Sequence, residues 1–410
     1  MHITNVLILL LAIASAVAIA ARRMRIPYTV ALVVVGLALG FFRVIDAPHL
    51  TKDLLFSVFL PGLVFEAAYH LSWPEFRRNI LATASLAIPG VGIGIAVTAA
   101  LLVAVTGLLT TETPFGWRQA LVFGGAVAAT DPIAVVALLR SLGAPERLKV
   151  ILESESLLND GTGIVFFTLI LSATAGAAVA WGAIALQFLQ IVGVGTIVGL
   201  GFGWAASELT RRIHDSMVEI TLTAIAAYGS FVVADQLGGS GVIATMAAGM
   251  VCGNFGAVTG MSLRTRMVVD SFWEYIAFLL NSIIFLLIGL EVHMPALLHA
   301  FPVIAAAFLA GLLARVCVVG TVAVMLSRTR ERIPWSWTPA LTWGGLRGGL
   351  SMVLVLSLPA SFPAREALIV TTFGVVVLSI LVYGLSMAPL LRLTRLSGSA
   401  PLPDMETRGA

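Results

Sequence analysis

Long apolar stretches separated by short polar loops follow one another along the whole chain. Several of them reach the roughly 20 residues that a helix needs to cross a hydrocarbon layer about 30 Å thick. We predict about 13 transmembrane helices on this length criterion, at residues 3–21, 27–42, 54–71, 80–109, 119–139, 150–173, 182–206, 217–235, 241–257, 269–290, 301–326, 337–359 and 366–391. The pattern therefore predicts an all-α membrane protein.

The composition excludes a soluble fold. Of the 410 residues 59% are hydrophobic and 11% are charged, whereas a soluble domain carries about a quarter charged residues. The formal net charge of +3 comes from short basic clusters between apolar runs, which does not suit nucleic acid. Cys252 and Cys317 lie inside apolar segments without metal-ligand spacing, so we expect packing roles and neither a structural metal nor a cofactor.

The basic residues predict the orientation of the chain. With the N-terminus outside, the cytoplasmic loops and tail carry 18 of the 24 lysines and arginines. Such an asymmetry predicts an external N-terminus and a cytoplasmic C-terminus in the cell (inner) membrane. Residues 396–410 lack apolar periodicity, and we predict a disordered cytoplasmic tail there.

Two predicted spans contain residues that interrupt a helix. Pro132 lies in the middle of the fifth span, and glycines flank Arg347 in the twelfth. Such residues free backbone carbonyl groups, and interrupted helices at corresponding positions of two halves are the sequence signature of a secondary-transporter site. We therefore predict one transporter unit of residues 1–395 with inverted repeats at about 3–173 and 217–391.

Ionisable side chains in the middle of spans identify the candidate site. Asp160, Asp131, Glu66 and Arg347 each lie roughly 15 Å from a span end at 1.5 Å per helical residue. A charge at that depth costs several kcal/mol unless it is paired or hydrated. Helical spacing places Ser156 on the same face as Asp160, so several oxygen atoms converge there.

This oxygen-rich site predicts cation transport coupled to protons. Monovalent cations prefer oxygen ligands, and burial disfavours a charged carboxyl group, so the same oxygens can hold either a cation or a proton. A site at Asp160 that must be filled before it changes sides couples the two fluxes. For Asp131 two interpretations stay open, a cation ligand or a counter-charge to the end of a broken helix.

Arg347 needs a buried partner because a lone guanidinium at the membrane centre is costly. We predict a structural ion pair with Glu155, which would brace the sixth span against the twelfth. Glu66 is the alternative partner. For Arg315 the sequence alone indicates no partner, and three alternatives stay open: Glu274, Glu291 or a lipid-facing interface.

Five motifs, in their order along the chain, resemble the monovalent cation:proton antiporter superfamily. The resemblance is to its NhaP-like sodium/proton antiporter branch, which is related to animal sodium/hydrogen exchangers. The motifs lie at residues 60–66, 129–132, 155–161, 272–274 with Asn281, and 344–348. The resemblance implies a fold with two crossed unwound helices, a dimerisation part, a mobile core part and a homodimer.

The same resemblance implies roles for individual residues. Asp160 is implied to be the essential ion- and proton-binding carboxylate, and Glu155 to pair with Arg347. The Asn-Asp sequence ending at Asp160 resembles the electroneutral, one-for-one branch. Gly62 departs from the pattern, since relatives often have proline there. The implied ion- and proton-binding residues are Asp160, Asp131, Ser156, Thr130, Asn159 and Glu66, with Na+ held by Asp160, Asp131, Ser156 and Thr130.

Other functions stay open on the sequence alone. Exchange of K+ for H+ is an alternative because oxygen-rich sites select ions by cavity size, and a cation-coupled solute symporter is a second. Asp131 and Asp160 also invite comparison with an intramembrane protease, but no nucleophile lies beside a base, so we do not expect an enzyme. The predicted partners are Na+ or Li+, H+ and membrane lipids.

Overall fold

The computed structural model describes residues 3–24, 26–42, 54–108, 115–174, 181–213, 215–291 and 294–396. These residues are nearly all helical, and no strand occurs among them. The predicted disordered tail, apart from residue 396, lies outside the described residues. The helices in chain order are α1 (Ile3–Met24), α2 (Tyr28–Phe41), α3 (Leu60–His70), α4 (Trp73–Arg78), α5 (Ile80–Ala87), α6 (Pro89–Leu108), α7 (Trp117–Ala126), α8 (Ile133–Ser141), α9 (Glu146–Thr174), α10 (Trp181–Thr210), α11 (Ser216–Gln236), α12 (Gly241–Val251), α13 (Ala257–Thr259), α14 (Leu263–Leu290), α15 (Met294–His299), α16 (Phe301–Met325), α17 (Thr338–Trp343), α18 (Gly349–Leu356) and α19 (Arg365–Leu393).

Eight helical stretches in this part of the chain are long and apolar enough to cross a membrane. They are Ile80–Leu108, Glu146–Thr174, Ala185–Thr210, Ser216–Gln236, Gly241–Thr259, Leu263–Leu290, Phe301–Met325 and Arg365–Leu393. Two shorter apolar stretches, Tyr28–Phe41 and Leu55–His70, accompany them. The predicted all-α, multi-pass membrane protein is confirmed, while the exact number of crossings and the inverted repeats stay predictions.

Two helices are interrupted where the sequence places proline and glycine. Residues 127–132 separate α7 from α8, and residues 344–348 separate α17 from α18. We call these two segments the first and second helix breaks. The backbone N–H of Asp131 in the first break donates to the carbonyl oxygen of Leu346 in the second, at 2.8 Å. The two breaks therefore contact each other inside the protein, where neither is exposed to lipid.

Glycines allow α2 to pack closely on α14, one of the helices beside the breaks. A Cβ atom on Gly36 would clash with the carbonyl oxygen of Leu286, and one on Gly289 would lie 2.5 Å from that of Val33. Small residues at such positions let helix backbones approach each other in a membrane, where van der Waals contact drives association. The position of α14 thus depends on the absence of side chains at this contact.

Substitution Gly36→Leu is expected to destabilise the protein by about 1–3 kcal/mol, because overpacking forces the two backbones apart. The matched control is Gly320→Leu in α16, since no atom lies within 4 Å of a Cβ at Gly320. Thermal unfolding of the purified protein in detergent measures both effects. Equal losses of stability in the two variants would contradict a specific close contact between α2 and α14.

Candidate functional site

A cavity of about 470 Å³ lies beside the two helix breaks. It extends past Glu153 to Arg140, whose side chain is 64% exposed, so the cavity reaches the aqueous surface at that end. Five of the six predicted ion-binding residues line it, namely Asp160, Asp131, Thr130, Ser156 and Glu66. Residues that are far apart in sequence thus share one water-accessible space.

Asp160 faces this cavity from near the middle of α9. In the described part of the chain no residue forms a hydrogen bond or an ion pair with its carboxylate. The charged group that acts on it most is a second carboxylate, that of Asp131. Because two neighbouring carboxylates without a positive partner repel each other, this arrangement favours binding of a cation or a proton.

The position of Asp131 is compatible with both roles that the sequence left open. Its Oδ1 accepts a hydrogen bond from the backbone N–H of Ile133 at 3.1 Å, at the start of α8, where a negative charge is favourable. A Cβ on Gly348 would lie 2.8 Å from its Oδ2, so glycine is needed there for close packing of the breaks. Asp131 therefore caps a broken helix and also lines the cavity.

Thr130 is held in place by two side chains of α9. The hydroxyl of Ser156 donates to the Thr130 carbonyl oxygen, and Nδ2 of Asn159 donates to the Thr130 hydroxyl at 3.2 Å. The same Nδ2 donates to Oε1 of Glu155 at 3.0 Å. Asn159 is only 1% exposed and does not line the cavity. The structure thus gives Asn159 a positioning role, in place of the direct ion contact implied for it.

Glu155 forms its ion pair with Arg315 of α16. Both Glu155 oxygens accept from this guanidinium, Oε2 at 2.7 Å from Nη2, and the two side chains are 1% and 8% exposed. The Leu341 carbonyl oxygen accepts from Nη2 at 2.9 Å. The predicted pair of Glu155 with Arg347 is therefore wrong, because α16 brings Arg315 between the Glu155 carboxylate and α17, where it satisfies both.

Arg347 instead connects the two helix breaks. Its Nη1 donates to the carbonyl oxygen of Ala128 in the first break at 3.2 Å, and its backbone N–H donates to Ser379 Oγ of α19 at 3.2 Å. Among the described residues no carboxylate forms an ion pair with it. Its positive charge therefore lies against a carbonyl oxygen that the broken helix leaves without a helical partner.

Comparison with known proteins agrees with this architecture. Residues 6–393 match the profile of the family described as sodium/hydrogen exchanger, transmembrane. The chain belongs to the sodium/hydrogen exchanger family. It is similar to the Na(+)/H(+) antiporter ApNhaP of Aphanothece halophytica, with 39% identity over 367 residues that cover 88% of this chain and 68% of the relative. The Na(+)/H(+) antiporter NhaP of Pseudomonas aeruginosa is 38% identical over 372 residues, or 87% and 84% of the two chains.

The fold of this exchanger-family chain is also found in a solved structure. The sodium proton antiporter MjNhaP1 from Methanocaldococcus jannaschii at pH 8 superimposes with a TM-score of 0.77 at 20% identity, over 96% of this chain and 99% of the other. The predicted NhaP-like antiporter fold is thereby confirmed.

Two charged contacts line the cavity of this exchanger-family chain. Nδ1 of His70 lies 3.2 Å from Oε1 of Glu66, and Nη2 of Arg140 lies 2.6 Å from Oε1 of Glu153. Glu153 thus lies at the entrance, next to the exposed Arg140. The sequence reading missed His70, although the i,i+4 spacing from Glu66 is a usable signal.

Substitution Arg315→Leu is expected to destabilise the protein by about 3–5 kcal/mol, because it leaves the Glu155 carboxylate buried without compensation. The double variant Glu155→Leu with Arg315→Leu should lose less than the sum of the single losses. Unfolding of the purified protein in detergent with added denaturant measures this coupling. The control is the corresponding cycle of Glu155→Leu with Arg347→Leu, and a larger coupling in that cycle would refute the observed pairing.

Proposed function

We propose that this chain exchanges Na+ or Li+ for H+ across the cell membrane by alternating access, with cation and proton competing at Asp160. The observation that carries the proposal is the Asp160 carboxylate, which faces a water-accessible cavity from the middle of a membrane helix and has no protein partner among the described residues. A group in that setting must be neutralised by something that comes from solution. The cavity provides the route.

The oxygen atoms around Asp160 suit Na+. Oδ1 of Asp131 accepts from Ile133, while Oδ2 accepts no hydrogen bond from any described residue. The Ser156 hydroxyl donates its proton to Thr130, and the lone pairs of its oxygen remain available to a cation. Glu66 lines the same cavity with a third carboxylate. Such a ligand set of carboxylates and hydroxyls matches a hard monovalent cation.

We propose a one-for-one, electroneutral exchange. Both oxygens of Glu155 are engaged by Arg315, so the charge of Glu155 stays fixed. Residue 159, next to Asp160, is an asparagine, and its amide cannot carry the second proton that an acidic side chain at this position would carry. One cation then replaces one proton. The relatives described as Na(+)/H(+) antiporters favour Na+ over the alternatives of K+/H+ exchange or cation-coupled symport, and we propose a transporter with no enzymatic activity.

We propose further that the chain lies in the cell (inner) membrane as a homodimer, with its N-terminus outside and its C-terminus cytoplasmic. Three loops that the basic residues place in the cytoplasm, at 72–79, 142–149 and 326–337, contact one another, which supports the predicted topology. In the most apolar part of α10 only 11% of the residues are buried, which leaves a face of this helix for lipid or for a second copy of the chain.

Substitution Asp160→Asn should abolish exchange without unfolding the protein, because the amide can neither release a proton nor neutralise a cation. The control is Asp235→Asn, which removes an exposed carboxylate at the end of α11. Exchange is measured in reconstituted vesicles with a pH-sensitive dye after addition of Na+, Li+ or K+. Wild-type exchange rates in Asp160→Asn would remove this residue from the mechanism, and equal rates with K+ would support the K+/H+ alternative.

The apparent affinity for Na+ should fall as the pH falls, because protons occupy Asp160 and exclude the cation. For strict one-for-one competition the Na+ concentration at half-maximal binding rises by at most about tenfold per pH unit. Binding titrations of the purified protein at several pH values test this dependence. A half-maximal concentration that stays constant with pH would contradict a shared site.

A further inference from the structure

A group of arginines gathers where three loops meet on one face of the protein. Arg147, in the first turn of α9, joins the loops. Its Nε donates to Oδ1 of Asn79 at 2.7 Å, its Nη1 donates to the Arg332 carbonyl oxygen at 3.0 Å, and its guanidinium lies 5.5 Å from the centre of the Trp337 ring. Segments about 70 and 185 residues away in sequence are thus held side by side.

Two of the three acidic side chains in these loops are already engaged. Oε2 of Glu331 accepts from the backbone N–H of Ala82 at 2.9 Å, so this carboxylate lies at the N-terminus of α5. Glu146 pairs with Lys149. Of the three acidic residues in these loops, only Glu75 is left to face the arginines.

Five arginines on this face form no ion pair within the described residues, and they outnumber the one carboxylate that is not engaged. All five side chains are exposed. We call them the arginine patch, which consists of Arg77, Arg78, Arg328, Arg330 and Arg332. Two large aromatic side chains, Trp73 and Trp335, accompany the patch and are 45% and 62% exposed.

We propose that the arginine patch binds the phosphodiester headgroup of an anionic membrane lipid such as phosphatidylglycerol. Guanidinium groups bind phosphate oxygens through two parallel hydrogen bonds, and basic clusters next to membrane spans attract anionic lipids. Free phosphate would satisfy the same arginines, but it would not account for exposed tryptophans. Tryptophan concentrates at the membrane–water interface, so the combination of both residue types specifies a lipid.

The location of the patch relative to membrane spans supports this assignment. Arg77 and Arg78 directly precede the apolar stretch Ile80–Leu108, and Arg328 follows the stretch that ends at Met325. The loops are tied through Arg147 to α9, the helix that carries Asp160. A bound headgroup therefore stabilises one end of the helix that forms the ion site.

The test measures thermal unfolding of the full chain in detergent while lipid is added. Phosphatidylglycerol should raise the unfolding temperature of the wild type, and the variant Arg328→Gln with Arg330→Gln should need at least about tenfold more lipid for the same rise. The matched control is Arg211→Gln with Arg212→Gln, which removes two arginines that pair with Glu208 at 3.1 and 2.7 Å. The control should respond like the wild type.

Two comparisons keep this test decisive. Phosphatidylcholine and inorganic phosphate, added in the same way, should leave the unfolding temperature unchanged, and an equal rise with inorganic phosphate would reassign the patch to a soluble anion. A second variant, Arg77→Gln with Arg78→Gln, serves if the first fails to fold. An undiminished response to phosphatidylglycerol in a folded patch variant would overturn the proposal. The result does not depend on transport, so it stands apart from the proposed exchange.

Discussion

Hydrocarbon offers no hydrogen bonds to an interrupted helix, and the two helix breaks of this protein supply each other with the missing partners. The N–H of Asp131 donates to Leu346, and the guanidinium of Arg347 donates to Ala128. This mutual hydrogen bonding holds the two breaks against one another. It also carries Asp131 and its neighbour Thr130 to the wall of the cavity, so the geometry of the site follows from the requirement to satisfy the backbone.

The buried carboxylate of Glu155 behind the cavity is compensated, whereas that of Asp160, which faces the cavity, is not. Glu155 and Arg315 satisfy each other through two contacts, and α17 contributes a carbonyl oxygen to the same guanidinium. Asp160, one helical turn and one residue further along α9, has no such partner in the described part of the chain. A fixed ion pair therefore supports the scaffold, and a variable charge remains for solution ions to neutralise. The two tasks are divided between neighbouring residues of a single helix.

The fold could be predicted because the features that determine it are measured by counting residues along the sequence. The length of an apolar run predicts a span, and the distance of a residue from the end of its run predicts its depth, which placed Asp160 correctly at the cavity. The choice of ion-pair partner cannot be predicted from positions along the sequence. Arg315 and Arg347 both lie deep in their spans, and only the packing of α16 against α17 decides which one meets Glu155. Helical spacing likewise placed Asn159 near Glu155, but it could not show that its amide also turns toward Thr130.

The cavity also determines where the membrane potential acts on this protein. An electric potential falls across low-dielectric material, and little of it falls across an opening that admits water and salt. In the proposed exchange, a cation that enters beside Arg140 therefore reaches Asp160 before it has crossed most of the membrane potential. Carrying one charge through the full potential involves about 2.3 kcal/mol per 100 mV, and in the proposed cycle this work belongs to the movement that turns Asp160 toward the opposite side. When that movement carries one positive charge in each direction, the electrical work cancels over the cycle.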